Sequence, residues 1–162
     1  MDMQRVDRGR RAALKQGGGA TLLALLGAAG WLRSELARAQ AWNKAAFDTH
    51  SMAETMQALG GGDPAQSKDI VFFQTPDIAE NGAVVPIGIT SNIPKTESIA
   101  ILVEKNPNML AAVFDIPAGT EPSVTTRIKM GQSSNIYALV KADGKYYVAA
   151  KDVKVTLGGC GG

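Results

Sequence analysis

The chain has 162 residues, 45% hydrophobic and 20% charged, with a formal net charge of +2. That is too apolar for a disordered chain and long enough for one domain with an appendage. The charge is uneven. Residues 1–39 carry seven Lys/Arg and three acids, which leaves a body of ten bases and twelve acids; such a body, without a Lys/Arg cluster, excludes nucleic acid as a partner, because neutralising phosphates needs concentrated positive charge.

Residues 1–39 read as an export signal. A basic segment ends in Arg10-Arg11, a weakly apolar run follows from Ala20 to Leu32, and Ala37-Arg38-Ala39 forms a small-x-small site before Gln40. The Arg pair with Lys15 resembles a twin-arginine signal, although Gly9 and Ala13 stand where Ser and Phe are usual. The apolar run is shorter than the ~20 residues a membrane span needs. A membrane anchor is the alternative, and cleavage would leave a mature periplasmic chain with no membrane association.

Residues 40–62 are expected to be a helical segment ending in a Gly-rich linker. Trp42, Ala46, Phe47, Met52, Met56 and Leu59 recur at helical spacing. Thr49 or Ser51 could cap a second stretch, and Gly60-Gly61-Gly62-Asp63-Pro64 ends it.

Residues 63–157 change character. Short apolar runs at Ile70–Phe73, Val84–Thr90, Ile99–Val103, Met109–Phe114, Val124–Met130, Ile136–Val140 and Tyr146–Leu157 alternate with turn residues. In the last run Val153, Val155 and Leu157 fall on one face and Asp152, Lys154 and Thr156 on the other. Asp143-Gly144 signals a hairpin. The prolines at 86, 94, 107, 117 and 122 suit strand ends and edges. About seven strands without intervening helices predict an all-β fold, an immunoglobulin-like antiparallel β-sandwich with a short N-terminal helix. A single cysteine cannot form an internal disulfide, so apolar burial must hold the sandwich together.

The chemistry concentrates in residues 158–162. Four of the eighteen glycines, Gly158, Gly159, Gly161 and Gly162, surround Cys160. They strip side chains from the neighbourhood of the sulfur and leave the backbone unconstrained, which predicts a thin, flexible arm. Cys160 lies four residues past Thr156, so its Cα can stand roughly 13–14 Å beyond that residue. Effective catalysis requires positioned groups, and such an arm has none. The thiol is therefore suited to being acted upon inside another protein's site, as a covalent carrier. In an exported protein a free thiol is exposed to oxidation, and a Cys160–Cys160 disulfide would join two copies.

The ending Val155-Thr156-Leu157-Gly158-Gly159-Cys160-Gly161-Gly162 resembles that of the SoxY family, sulfur-carrier subunits of the thiosulfate-oxidising Sox system. Val85-Pro86-Ile87, Ile101 to Asn108 and Thr126 to Gly131 are similar to that family too, with Met109 in place of an expected Pro. The resemblance implies a heterodimer with SoxZ, a second immunoglobulin-like protein, and export of the folded pair. It implies that Cys160 accepts thiosulfate as a cysteine-S-thiosulfonate through SoxAX, a c-type cytochrome. SoxB would then remove sulfate and a sulfane dehydrogenase would oxidise the remaining sulfur. No cofactor or metal resident on this chain is implied, and the chain itself is expected not to be an enzyme.

Two other readings compete. His50, Met52 and Met56 in an exported protein could bind copper(I), since thioethers suit soft metals; the plainer account is a Met face packed on the sandwich. Otherwise the chain is a structural interaction domain with a dispensable tail. Lys151 and Lys154 are too far along the strand to be assigned a part in activating the thiol.

Overall fold

The structure is a computed structural model and describes residues 43–156. The export signal expected at 1–39, Trp42, Leu157 and the Gly158–Gly162 arm with Cys160 lie outside the described residues. Among the described residues two short helices, α1 (Lys44–Phe47) and α2 (Met52–Ala58), precede nine strands. These are β1 (Ala65–Gln66), β2 (Ile70–Phe73), β3 (Ile78–Ala79), β4 (Val85–Ser91), β5 (Thr96–Val103), β6 (Leu110–Asp115), β7 (Ser123–Ile128), β8 (Ser134–Ala142) and β9 (Lys145–Val155).

Strands β6-β5-β8-β9 form one antiparallel sheet and β2-β4-β7 a second. The chain crosses between sheets from β4 to β5, from β6 to β7 and from β7 to β8, which is the wiring of an immunoglobulin-like sandwich. The expected all-β class holds. Two additions run parallel rather than antiparallel: β1 pairs with the start of β9 (Ala65↔Tyr147) and β3 with its end (Ala79↔Val155). Each is two residues long, too short for alternation to mark it, and β3 lies inside a stretch that reads as turn from Pro76 to Gly82.

Alternation explains the layers. Ile87 and Ile89 of the smaller sheet meet Ile99, Ile101, Val103, Ile136, Val140 and Val153 of the larger, all 0% exposed. Each such side chain contributes ~1.5–3 kcal/mol on burial. In β9, Val153 is buried and Val155 half-buried, while Asp152, Lys154 and Thr156 are exposed, as the sequence pattern requires. The larger sheet is apolar on its outer face too. There Ala100, Leu102, Leu139 and Val148 form a second cluster with Ala46, Met56, Met109 and Leu110. The helices exist to cover this face.

The helical segment consists of two helices, the second starting after Ser51. Thr49 breaks it by turning inward: its Oγ1 donates to Ala46 O (2.7 Å) and shares a 2.7 Å bond with Thr55 Oγ1. Its carbonyl accepts Met109 N at 2.8 Å, which ties the break to the β5–β6 turn. Ser51, not Thr49, is the cap, accepting Glu54 N at 3.2 Å. At the other end Gly61 N reaches Met56 O (2.9 Å) around Gly60 at φ +74°, a Schellman stop.

Pro86 departs from expectation, since it lies within β4, the central strand of the smaller sheet. The ladder accommodates it because β2 pairs with β4 only from Ser91 to Gly88. Gly88 N points to that side, donating to Thr75 Oγ1 at 3.2 Å. The nitrogen of Pro86, two residues on, points the same way, past the end of β2, where no donor is needed. Gly88 itself is required by close approach: a Cβ there would strike Phe73 O and the Phe73 ring. Asp143 (φ +50°) and Gly144 (φ +72°) form the β8–β9 hairpin with two positive φ values, as an Asp-Gly type I′ turn does.

Candidate functional site

The tail departs from one pole of the sandwich, where β5, β7 and β9 end and β4, β6 and β8 begin. Its last described residues are held on both sides. Lys154 N donates to Asp77 O (2.9 Å) and Thr156 N to Ala79 O (3.1 Å), the parallel bonds of β3. Thr156 Oγ1 donates to Glu80 O at 3.3 Å. From the β8 side, Val155 N donates to Ser133 Oγ at 2.8 Å.

The charges near this root are mixed and mostly solvated. Lys151 pairs with Asp77 at 2.9 Å; the Lys151 side chain is 26% exposed and that of Asp77 88%. Lys154 and Glu80 are exposed. Lys151 belongs to the inward-facing row of β9 with Ala149 and Val153, so it points into the sandwich edge and is spent on Asp77. An inward charge of this kind also blunts an edge strand against unwanted pairing.

The candidate copper ligands are placed otherwise. Met56 is buried in the outer cluster beside Tyr146 and Gly61, and Met52 packs half-buried on the same cluster. Both thioethers fill the layer between helices and sheet. His50 stands at the tail's pole but beside the β5–β6 turn. Its Nδ1 meets Pro107 O, and its backbone N donates to Glu54 Oε2 at 2.9 Å. Three strand spacings, about 14 Å, separate β6 from β9. Among the described residues no group of three His, Cys, Asp or Glu could hold a metal ion.

A groove of about 650 Å³ opens between residues 91–97 and 116–122, lined by Ile93, Pro94, Ile116 and Pro117. It lies at the opposite pole. The nine residues of β8 span about 30 Å between the poles, against a tether of roughly 13–14 Å. The groove therefore cannot receive a group carried by Cys160 of the same chain.

The model of the family described as "Sulfur oxidation protein SoxY" matches residues 55–160, from Thr55 in α2 through to Cys160. The chain belongs to the SoxY family. Among solved structures it is similar to the sulfur carrier protein SoxY of Chlorobium limicola f thiosulfatophilum. The two share 35% identity over 64% of this chain and 94% of that one, with a TM-score of 0.58. A superoxide reductase (neelaredoxin) variant of Ignicoccus hospitalis matches at 18% identity over 53% of this chain and 78% of that one, with a TM-score of 0.46. No curated protein matches significantly. In the sequence, Leu157 and then Gly158–Gly162 follow the hydrogen-bonded root at Thr156. The residues that sequence reasoning missed are those of the root itself: Asp77, Ala79, Glu80 and Ser133. Their part is played by backbone carbonyls and one hydroxyl, which leave no mark in a pattern of residue types.

Proposed function

We propose that this chain is a sulfur carrier that holds thiosulfate-derived groups on Cys160 and presents them to the enzymes of the Sox system. The observation that carries the proposal is the placement of the chain's one cysteine between two pairs of glycines, four residues beyond Thr156. Family membership through Cys160 supports it. The body supplies a fixed base, and Gly158, Gly159, Gly161 and Gly162 supply a tether without side chains that a narrow active-site channel can admit.

The chemistry belongs to the partners. Joining thiosulfate to the Cys160 thiolate forms a sulfur–sulfur bond and releases two electrons, which the haems of SoxAX accept. Water then cleaves the sulfur–sulfonate bond under SoxB, releasing sulfate and two protons and leaving a persulfide anion on Cys160. A sulfane dehydrogenase takes six electrons from the persulfide while three waters supply oxygen and six protons leave, giving a sulfonate on the Cys160 sulfur; a second hydrolysis then releases a second sulfate and frees the thiolate. The carrier contributes the sulfur nucleophile and its tether, so the chain is not itself an enzyme. SoxZ is its heterodimer partner, and the pair works in the periplasm after removal of the leader at 1–39.

The test is a reconstituted system with the mature chain, SoxZ and the three enzymes. Thiosulfate should add mass to Cys160, and Cys160→Ser should abolish sulfate production while the protein remains folded. Turnover by Cys160→Ser at the wild-type rate would refute the carrier role.

A further inference from the structure

Strand β9 outlasts its neighbour. The β8–β9 ladder stops at Ser134↔Val153. The chain before Ser134 turns away there, with Met130 N bonded to Gly82 O (2.7 Å) and Gly131 N to Asn106 Oδ1 (3.1 Å). Residues 154–156 thus run on without a backbone partner from β8. Ser133 replaces one: its Oγ accepts from Val155 N at 2.8 Å and donates to Val155 O at 3.4 Å. A single hydroxyl serves both polar groups of the residue whose ladder partner is missing. From the other edge, Asp77 O and Ala79 O hold the amides of Lys154 and Thr156. Three successive N–H groups are bound alternately from the two sides.

We propose that Ser133 is a positioning residue that, together with β3, fixes the pivot of the tail at Thr156 and thereby sets the length of tether behind Cys160. The proposal takes its purpose from the carrier reading and its geometry from residues 77–80, 133 and 153–156. With the pivot at Thr156 the tether is four residues. Releasing 154–156 makes it seven and adds about 10 Å of reach. The effective concentration of a tethered group falls roughly as the −3/2 power of tether length, which gives about a twofold loss here. A pivot that slips therefore dilutes the thiol at a docked enzyme. A hydroxyl also adds little bulk where a partner must approach.

The experiment uses the mature chain with its SoxZ partner. Cys160 is the only cysteine of this chain, so within it a nitroxide on that thiol needs no further substitution. Segmental isotope labelling of this subunit confines the amide readout to it. Ser133→Ala should speed hydrogen exchange at Val155 and Thr156 about tenfold, the equivalent of one net hydrogen bond, and leave Val148 at the start of β9 unchanged. The nitroxide should then broaden amides farther from the tail's pole, as it should when three glycines are inserted after Thr156 with Ser133 intact. Ser133→Thr should restore both patterns. With the partner enzymes, KM for the unlabelled Ser133→Ala carrier should rise at constant kcat, by no more than the about twofold that full release of 154–156 would give. Unchanged exchange at Val155, or faster exchange throughout β8 and β9, would overturn the proposal. Should Ser133→Ala fail to fold, the unmodified protein decides: a Val155 amide exchanging as freely as an unbonded one would be equally decisive against it. The exchange and broadening measurements need no enzyme, so the pivot and the carrier role can fail separately.

Discussion

The two ends of β9 are held by different forces. At its start, Tyr146 lays its ring against Met56 and Gly61 and donates its hydroxyl to Leu59 O at 2.9 Å, while Val148 is 3% exposed in the outer cluster. At its end, Val155 is half-buried and Thr156 exposed, and the grip comes from carbonyls of residues 77–80 and the hydroxyl of Ser133. Apolar packing anchors the strand strongly but requires bulky neighbours. Hydrogen bonds to backbone and to one small side chain anchor it with little bulk, which suits the place where a tether must leave and a partner must come close.

That contrast can be broken from either end. The largest effect expected is on turnover alone: deleting residues 158–162 should abolish thiosulfate oxidation in the reconstituted system and leave the melting temperature of the body unchanged. Retained turnover would make the tail dispensable. Next, Tyr146→Ala removes a half-buried ring and its hydrogen bond, and should destabilise the fold by about 2–4 kcal/mol in denaturant titration, with normal turnover for the fraction still folded. Replacing Gly159 with Ile should slow turnover severalfold without altering stability, because a branched side chain thickens the tether; equal rates with every partner enzyme would remove the narrow channel from the mechanism. The smallest effect is Lys151→Ala. Its pair with Asp77 is largely solvated on the Asp77 side, so the loss should be about 0.5 kcal/mol or less, measurable as a slight fall in denaturation midpoint.

How far the sequence could be read follows the same division. Where side-chain type carries the information, the pattern was sufficient. Alternation in Val153–Thr156, the Asp143-Gly144 turn and the apolar helix face at Ala46 and Met56 all appear as expected. Where the backbone carries it, the pattern was silent. β1 and β3 are two residues each and bond through main-chain groups, so nothing in Ala65-Gln66 or Ile78-Ala79 marks them as strands. Thr49 and Ser51 are equally good caps by chemistry, and only the tertiary bond from Met109 N to Thr49 O draws Thr49 inward and leaves the cap to Ser51. Pro86 misled because a central strand can have a local edge where its neighbour is short. A cysteine among glycines is a statement of residue type and stands in the sequence itself; the hydrogen bonds of Ser133 do not.

One feature of the wiring governs the protein's biogenesis. The bond from Thr156 to Glu80 spans 76 residues of chain, and β9, made after the other described strands, supplies Val153 to the inner core and a partner to β8, β1 and β3. A nascent chain that stops short of β9 has an open core and nowhere to attach a tail. Closure of the sandwich therefore waits on β9, and with it on nearly the whole of the described chain.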